Sequence, residues 1–325
     1  MEFQLPITIP SLPEPIRYGD KILLTGSCFT EHIGNQLRDW KFNTLQNPNG
    51  ILFDPASVAG SLVSYIEPRI YTEEDLTFFN ELWQSWQHHS QFSHTNKEEC
   101  LQGINNSQTR AHAFLKETKW LIITLGSSFS YRLSGTPCTV ANCHRAPAKT
   151  FDKHLMTIEE INTVLDNCLY QLFHFNPGLN ILFTISPVRH ARDGVVENNR
   201  SKARLIESVH HLVNKFDRIW YFPAYELVID VLRDYRFFDV DMVHPNYPAT
   251  EYVLEKFARH CIDEPSRQLM EEVKKIVIAR RHRPMQPSTQ AHRRFLQDHL
   301  QKAEELSRKH PFLDLSEEIA YFSTY

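Results

Sequence analysis

The chain has 325 residues, 42% of them hydrophobic and 23% charged, and a formal net charge of −4. That length and composition fit one large globular domain, or one domain with appendages, able to bury its core without disulfides or metals. The charge balance excludes a generally basic, polyanion-binding surface, so neither a nucleic-acid nor a membrane partner is expected.

The N-terminal run MEFQLPITIPSLPEPIRYGD has no basic start, and Pro6, Pro10, Pro13 and Pro15 break its apolar stretch, so it is a poor signal peptide. No window reaches the apolar length of a membrane span. The six cysteines (Cys28, Cys100, Cys138, Cys143, Cys168 and Cys261) form no CxxC pair and read as reduced thiols. These features predict a soluble, cytoplasmic protein.

In chain order, the first predicted strand is Lys21–Thr25 (KILLT), followed by a helix over Thr30–Trp40 with Ile33, Leu37 and Trp40 at helical spacing. A weaker strand falls near Phe42–Leu45. Leu82–Ser93 (LWQSWQHHSQFS) stands outside the alternation and reads as a hairpin or lid within an insertion at about 68–106. Further strands are Trp120–Leu125 (WLIITL), Leu179–Ile185 (LNILFTI) and Arg218–Phe222 (RIWYF), with helices over Ile158–Phe173 and Ser201–Phe216. Beyond about 263 a basic helix, a Pro-rich turn (Arg283–Pro287) and a charged helix near Ala291–Lys309 read as a helical appendage, 264–325. Its cluster Lys274, Lys275, Arg280, Arg281 and Arg283 reads as a solvated helix face. Strands alternating with helices predict an α/β fold, a three-layer sandwich with a doubly wound parallel sheet in strand order 2-1-3-4-5. Ligands of such sheets bind beyond the carboxyl ends of the strands. That directs attention to Ser27 and Cys28, to Gly126–Ser128, and to Ser186–His190.

Thr25-Gly26-Ser27-Cys28-Phe29 joins the first strand to a helix. Gly26 permits a sharp turn, and the next side chain sits among the free N–H groups of a helix start. Ser27 there is either a helix cap or a nucleophile. Cys28 is a second candidate, since a helix N-terminus favours the thiolate. Later, Asp241 and His244 stand three apart just before a helix beginning near Pro248. A carboxylate on one ring nitrogen would fix the tautomer and leave the other nitrogen to take a proton.

A G-S turn after the first strand with a late D-x-x-H resembles the SGNH (GDSL-like) hydrolase superfamily. More closely, the run from Lys21 to about Cys261 resembles the GSCFA family, whose motif here reads Gly26-Ser27-Cys28-Phe29-Thr30, with Thr for the final Ala. Asn47-Pro48-Asn49-Gly50, Leu125-Gly126-Ser127-Ser128, Asn142-Cys143-His144 and Asp234-Tyr235-Arg236-Phe237-Phe238 also match. The resemblance implies Ser27, Asp241 and His244 as catalytic residues. It implies an oxyanion hole from Ser27 N–H, Gly50 N–H and an asparagine amide. The position that normally carries the amide holds Ser128, and Asn142 is the substitute, with an Asx turn as its other reading. Asn47 and Asn49 compete for that role.

His88, His89, His94, Cys143 and His144 match no zinc spacing, so no metal is expected, and neither Walker A nor GxGxxG follows a strand. Trp83, Trp86 and His89 could line a substrate wall or pack on the sheet. Arg189 could hold a polar substrate group or make a surface ion pair. With Ser128 these give the expected substrate-binding set Trp86, His89, Ser128 and Arg189. The reading is an O-acyl esterase or acyltransferase, with no cofactor, acting on a carbohydrate or other small ester. A non-catalytic carbohydrate- or acyl-binding module and a thiol enzyme using Cys28 are the alternatives. Oligomeric state stays open.

Overall fold

A computed structural model of the protein describes residues 5–67 and 69–324. The first four residues of the N-terminal run, and position 68 where the insertion was expected to begin, lie outside the described residues. So does the last residue of the expected appendage.

The first half of the chain runs β1 (Ile22–Gly26), α1 (Cys28–Asp39), β2 (Thr44–Gln46), α2 (Pro55–Ile66), the hairpin β3 (Thr77–Phe79) and β4 (Leu82–Gln84), and α3 (Lys97–Lys116). Then follow β5 (Trp120–Leu125), β6 (Phe129–Leu133), β7 (Thr139–Val140), β8 (Phe151–Leu155), α4 (Ile158–Phe175), β9 (Asn180–Ile185), α5 (Val195–Lys215) and β10 (Ile219–Tyr221). A short α6 (Ala224–Glu226) runs into a π-helical turn, and α7 (Tyr247–Cys261), α8 (Glu264–Arg281), α9 (Gln290–Lys309) and α10 (Ser316–Phe322) complete the chain.

The central sheet is parallel throughout, in the order β10-β9-β5-β1-β2. This is the predicted order. β1, β5 and β9 are buried on both faces, which is why they read as unbroken apolar runs. The two-residue period sends alternate side chains into two cores. Ile22, Leu24, Trp120, Ile122 and Leu182 meet Phe29, Ile33 and Leu37 of α1 and the buried faces of α7 to α10. Leu23, Leu121, Ile123, Ile181 and Phe183 meet α2, α4 and α5. That makes the third layer. The C-terminal helices therefore share a core with the sheet: Met270, Val273, Leu296, Ala303 and Phe322 lie in the same cluster as Ile22.

Helix starts follow local chemistry. Asp54 caps α2, Thr157 and Glu160 form a capping box on α4, Asn246 caps α7 and Asp263 caps α8. The antiparallel sheet β7-β6-β8 was not foreseen from the sequence. Its strands are short and half polar, and they follow directly on the end of β5. All six cysteines are free thiols, and no described helix is long and apolar enough to cross a membrane.

Candidate active site

The turn between β1 and α1 is shaped by Gly26. Its φ is +142°, and a Cβ there would lie 2.2 Å from the Thr124 carbonyl oxygen, so only glycine fits. Ser27 is 3% exposed and caps α1, its Oγ accepting from Phe29 N–H at 3.3 Å. The surroundings are close. A Cβ on Gly126 would meet Ser27 Cβ and His190 Nε2 at 3.3 Å each and Phe53 Cβ at 2.9 Å. Gly126 thus forms a floor on which the serine, an imidazole and an aromatic ring converge.

Asp241 and His244 lie on the loop before α7. Asp241 Oδ1 accepts from the N–H groups of Val243 (2.9 Å) and His244 (3.0 Å), while Oδ2 meets His244 Nδ1 at 2.6 Å. The backbone N–H of His244, then its ring, then Val243 N–H hold the Asp241 carboxyl down to about 2. The carboxylate is therefore ionised across the physiological range. With Nδ1 engaged, Nε2 has no hydrogen-bond partner among the described residues. The α7 start packs on the first turns of α1, where Phe29, His32 and Ile33 face Tyr247 and Thr250. Val243 O accepts from Arg189 N–H at 3.2 Å, which places the loop beside the carboxyl end of β9. Among the described residues no hydrogen bond joins Ser27 Oγ to His244.

The expected oxyanion donors are engaged elsewhere. Ser27 N–H donates to Thr124 O at 3.1 Å, continuing the sheet ladder, and Gly50 N–H donates to Asn47 O at 2.7 Å. Gly50 has φ +79°, and a Cβ there would strike His89 Cβ at 2.1 Å, so its glycine character serves the docking of the insertion. Asn142 Oδ1 accepts from His144 N–H at 2.9 Å, an Asx turn. Ser128 turns inward, its N–H to Ser201 Oγ at 2.7 Å and its Oγ to Ser201 O at 3.2 Å, tying β5 to α5. Of the amides weighed, the one that touches the β1–α1 turn is Asn47. Its Oδ1 accepts from Gly26 N–H at 3.0 Å, and its buried Nδ2 has no partner among the described residues.

Cys28, half-buried, follows Ser27 in the first helical turn, and burial pushes its thiol up, away from thiolate. Of the expected substrate wall, Trp86 packs tilted against His144 and edge-on to Phe151. His89 donates its N–H to Asn49 O at 2.9 Å and covers Gly50. The guanidinium of Arg189 lies over Phe238 and reaches Met242 O. His88 and His144 are internal, bonded to Ser85 Oγ (3.0 Å) and Ser85 O (2.8 Å). Among the described residues no three potential ligands are grouped as a metal would need.

Two further groups were not singled out from the sequence. His190 rests on Phe53, and burial, helped by the Lys202 ammonium, pulls its imidazole down to about 4, so it is neutral at neutral pH. It did stand in a suspected strand-end loop, which was the available signal. Lys202 is 1% exposed, and its Nζ donates to Gly126 O (2.5 Å) and Ser186 O (2.6 Å), bridging the ends of β5 and β9. Burial pulls it down to about 7. Nothing in the pattern of α5 sets this lysine apart from solvated ones.

No curated protein matches this chain. A solved structure similar to it is titled "Structure of a family two carbohydrate esterase from Clostridium thermocellum in complex with cellohexaose"; it is 12% identical, with a TM-score of 0.37, over 76% of this chain and 66% of that one. This chain thus spans a little under two thirds of that neighbour's length. Residues 273–325 match the GSCFA domain protein, C-terminal domain. Residues 21–257 match the GSCFA family, and the chain belongs to that family.

Proposed function

We propose that this protein is a serine esterase of the SGNH type, removing or transferring a short O-linked acyl group, such as acetate on a carbohydrate or another small ester. The observation that carries the reading is the 2.6 Å pair of Asp241 and His244 Nδ1, which leaves Nε2 without a hydrogen-bond partner among the described residues, at the sheet end that also holds Ser27 on a helix N-terminus. In this mechanism His244 Nε2 takes the proton of Ser27 Oγ as Oγ attacks the acyl carbon. The imidazolium, stabilised by Asp241, then protonates the departing alkoxide. Water, or a second alcohol, attacks the acyl-serine and restores Ser27, with His244 again relaying the proton. The packing of Phe53, Gly126 and His190 around a serine 3% exposed favours a small acyl group.

The oxyanion needs donors that converge where charge develops. N–H groups at the start of α1 are one source. For the side-chain amide, Asn142 remains a candidate through its NH₂ group, while Asn47 has the advantage of contact with Gly26. The engagement of Ser27 N–H and Gly50 N–H gives the non-catalytic binding module its best support.

Turnover of a nitrophenyl acetate separates these readings. Wild-type protein and Cys28→Ala should hydrolyse it and Ser27→Ala should not. Loss in Cys28→Ala alone would assign a thiol mechanism, and no turnover by wild type on short- or long-chain esters would leave the binding module.

A further inference from the structure

The segment 239–244 carries Asp241 and His244, yet little of it is packed. Val240 is 99% exposed and Met242 52%. Its internal bonds close on themselves: Asp239 N–H to His244 O at 2.8 Å, Met242 N–H to Asp239 O at 2.9 Å, and the two N–H groups held by Asp241 Oδ1. Met242 sits at φ +58°, the left-handed region that a non-glycine residue enters only when its surroundings hold it there. These bonds give the loop a shape. They do not fix that shape against the sheet.

Among the described residues, the hydrogen bonds that leave 239–244 both come from Arg189, just after β9. Its backbone N–H donates to Val243 O at 3.2 Å and its Nη1 to Met242 O at 3.4 Å. Its guanidinium lies 4.1 Å from the centre of the Phe238 ring and 5.2 Å from that of Tyr235. Phe238 is buried and bridges to Pro245, the neighbour of His244. A planar guanidinium can stack on a ring while an edge N–H reaches a carbonyl in the same plane; an ammonium cannot do both.

We propose that Arg189 is a positioning residue, which docks the Asp241–His244 loop onto the carboxyl end of β9 and thereby sets the reach of His244 toward Ser27. The inference rests on the esterase reading for its catalytic consequence but not for its structural one. An arginine engaged in this way is not free to anchor a substrate anion. It acts on the reaction through His244, where a displacement of about 1 Å is worth on the order of 10²-fold in rate.

Two variants and two readouts test this. In Arg189→Met and Arg189→Lys the backbone bond to Val243 O persists, while the stacking and the Met242 bond are lost. Hydrogen exchange of the peptide covering 238–246, measured without substrate, should speed up about five- to tenfold in both, with the β1, β5 and β9 peptides unchanged. On a nitrophenyl acetate, kcat should fall about 10- to 100-fold with KM within about twofold. A raised KM at unchanged kcat would make Arg189 a substrate anchor and overturn the proposal. Unchanged exchange in the loop would overturn it as well. If the wild-type protein shows no turnover, the esterase reading fails, and the exchange data alone still decide whether Arg189 holds the loop.

Discussion

Replacing Lys202 with methionine should remove a pH dependence of stability that the wild-type protein carries. In the unfolded chain this lysine titrates near 10.5, and burial pulls it down to about 7 in the folded protein. Between those values the unfolded chain holds more protons, so raising the pH favours the folded state by about 1.4 kcal/mol per pH unit. The penalty of burying the ammonium is thus fully present below about pH 7 and is relieved as the pH approaches 10.5. Its ceiling is about 5 kcal/mol, because the bonds to Gly126 O and Ser186 O favour the charged form and oppose the shift. Methionine fills the volume but leaves both carbonyls unpaired, which lowers stability at every pH and leaves the difference in slope intact. Urea unfolding at pH 7 and pH 9 measures it directly. With a folded-state value of about 7 the lysine is already half deprotonated at pH 7, so wild type should gain about 2.3 kcal/mol relative to the variant, groups remote from Lys202 cancelling in the comparison. Parallel pH dependences would mean that the lysine stays charged throughout, held by its carbonyls, and would refute the burial argument.

Asp241→Asn should lower kcat by about 10³–10⁴-fold with KM little changed, because the amide no longer stabilises the imidazolium; a loss below tenfold would show that His244 is oriented by other contacts. Gly26→Ala puts a Cβ 2.2 Å from Thr124 O at φ +142°; thermal melting should report a loss of about 3 kcal/mol or more, and a melting temperature equal to wild type would contradict the geometry of the turn. Among the amides, whichever supplies the oxyanion donor should cost about 10²–10³-fold in turnover when replaced by alanine. Single-turnover rates of Asn47→Ala and Asn142→Ala distinguish the two, and a loss below threefold in both would leave backbone N–H groups alone in that role.

Much of the central sheet was legible because it is buried on both faces. WLIITL and LNILFTI admit few other readings, and the alternation with helices leaves little choice of topology. Ser27, Asp241 and His244 were proposed for a different reason: the local patterns left Ser27 as either helix cap or nucleophile, and it was the resemblance to the GSCFA family that joined the three. The Asp241–His244 contact itself is local, closed by the turn that carries it. What the sequence could not disclose depends on distant partners. Lys202 meets Gly126 across 76 residues, and Ser128 is turned away from the site by Ser201. The covering of Gly50 by His89 arises only once the insertion docks. Arg189 sits in the loop after β9 and reaches the distant 239–244 loop, and it carries no local signal of that contact. The small sheet β7-β6-β8 was missed because its strands are two to five residues long and mix polar with apolar positions, as loops do.

The central claim is that Ser27 is a nucleophile activated by His244. Its most direct test is intact-mass measurement after incubation with a fluorophosphonate, followed by mapping of the modified peptide. The account predicts a single adduct on Ser27, formed at neutral pH and lost in His244→Ala. No adduct at saturating reagent, or an adduct on Cys28 or on a serine remote from the β1–α1 turn, would contradict it.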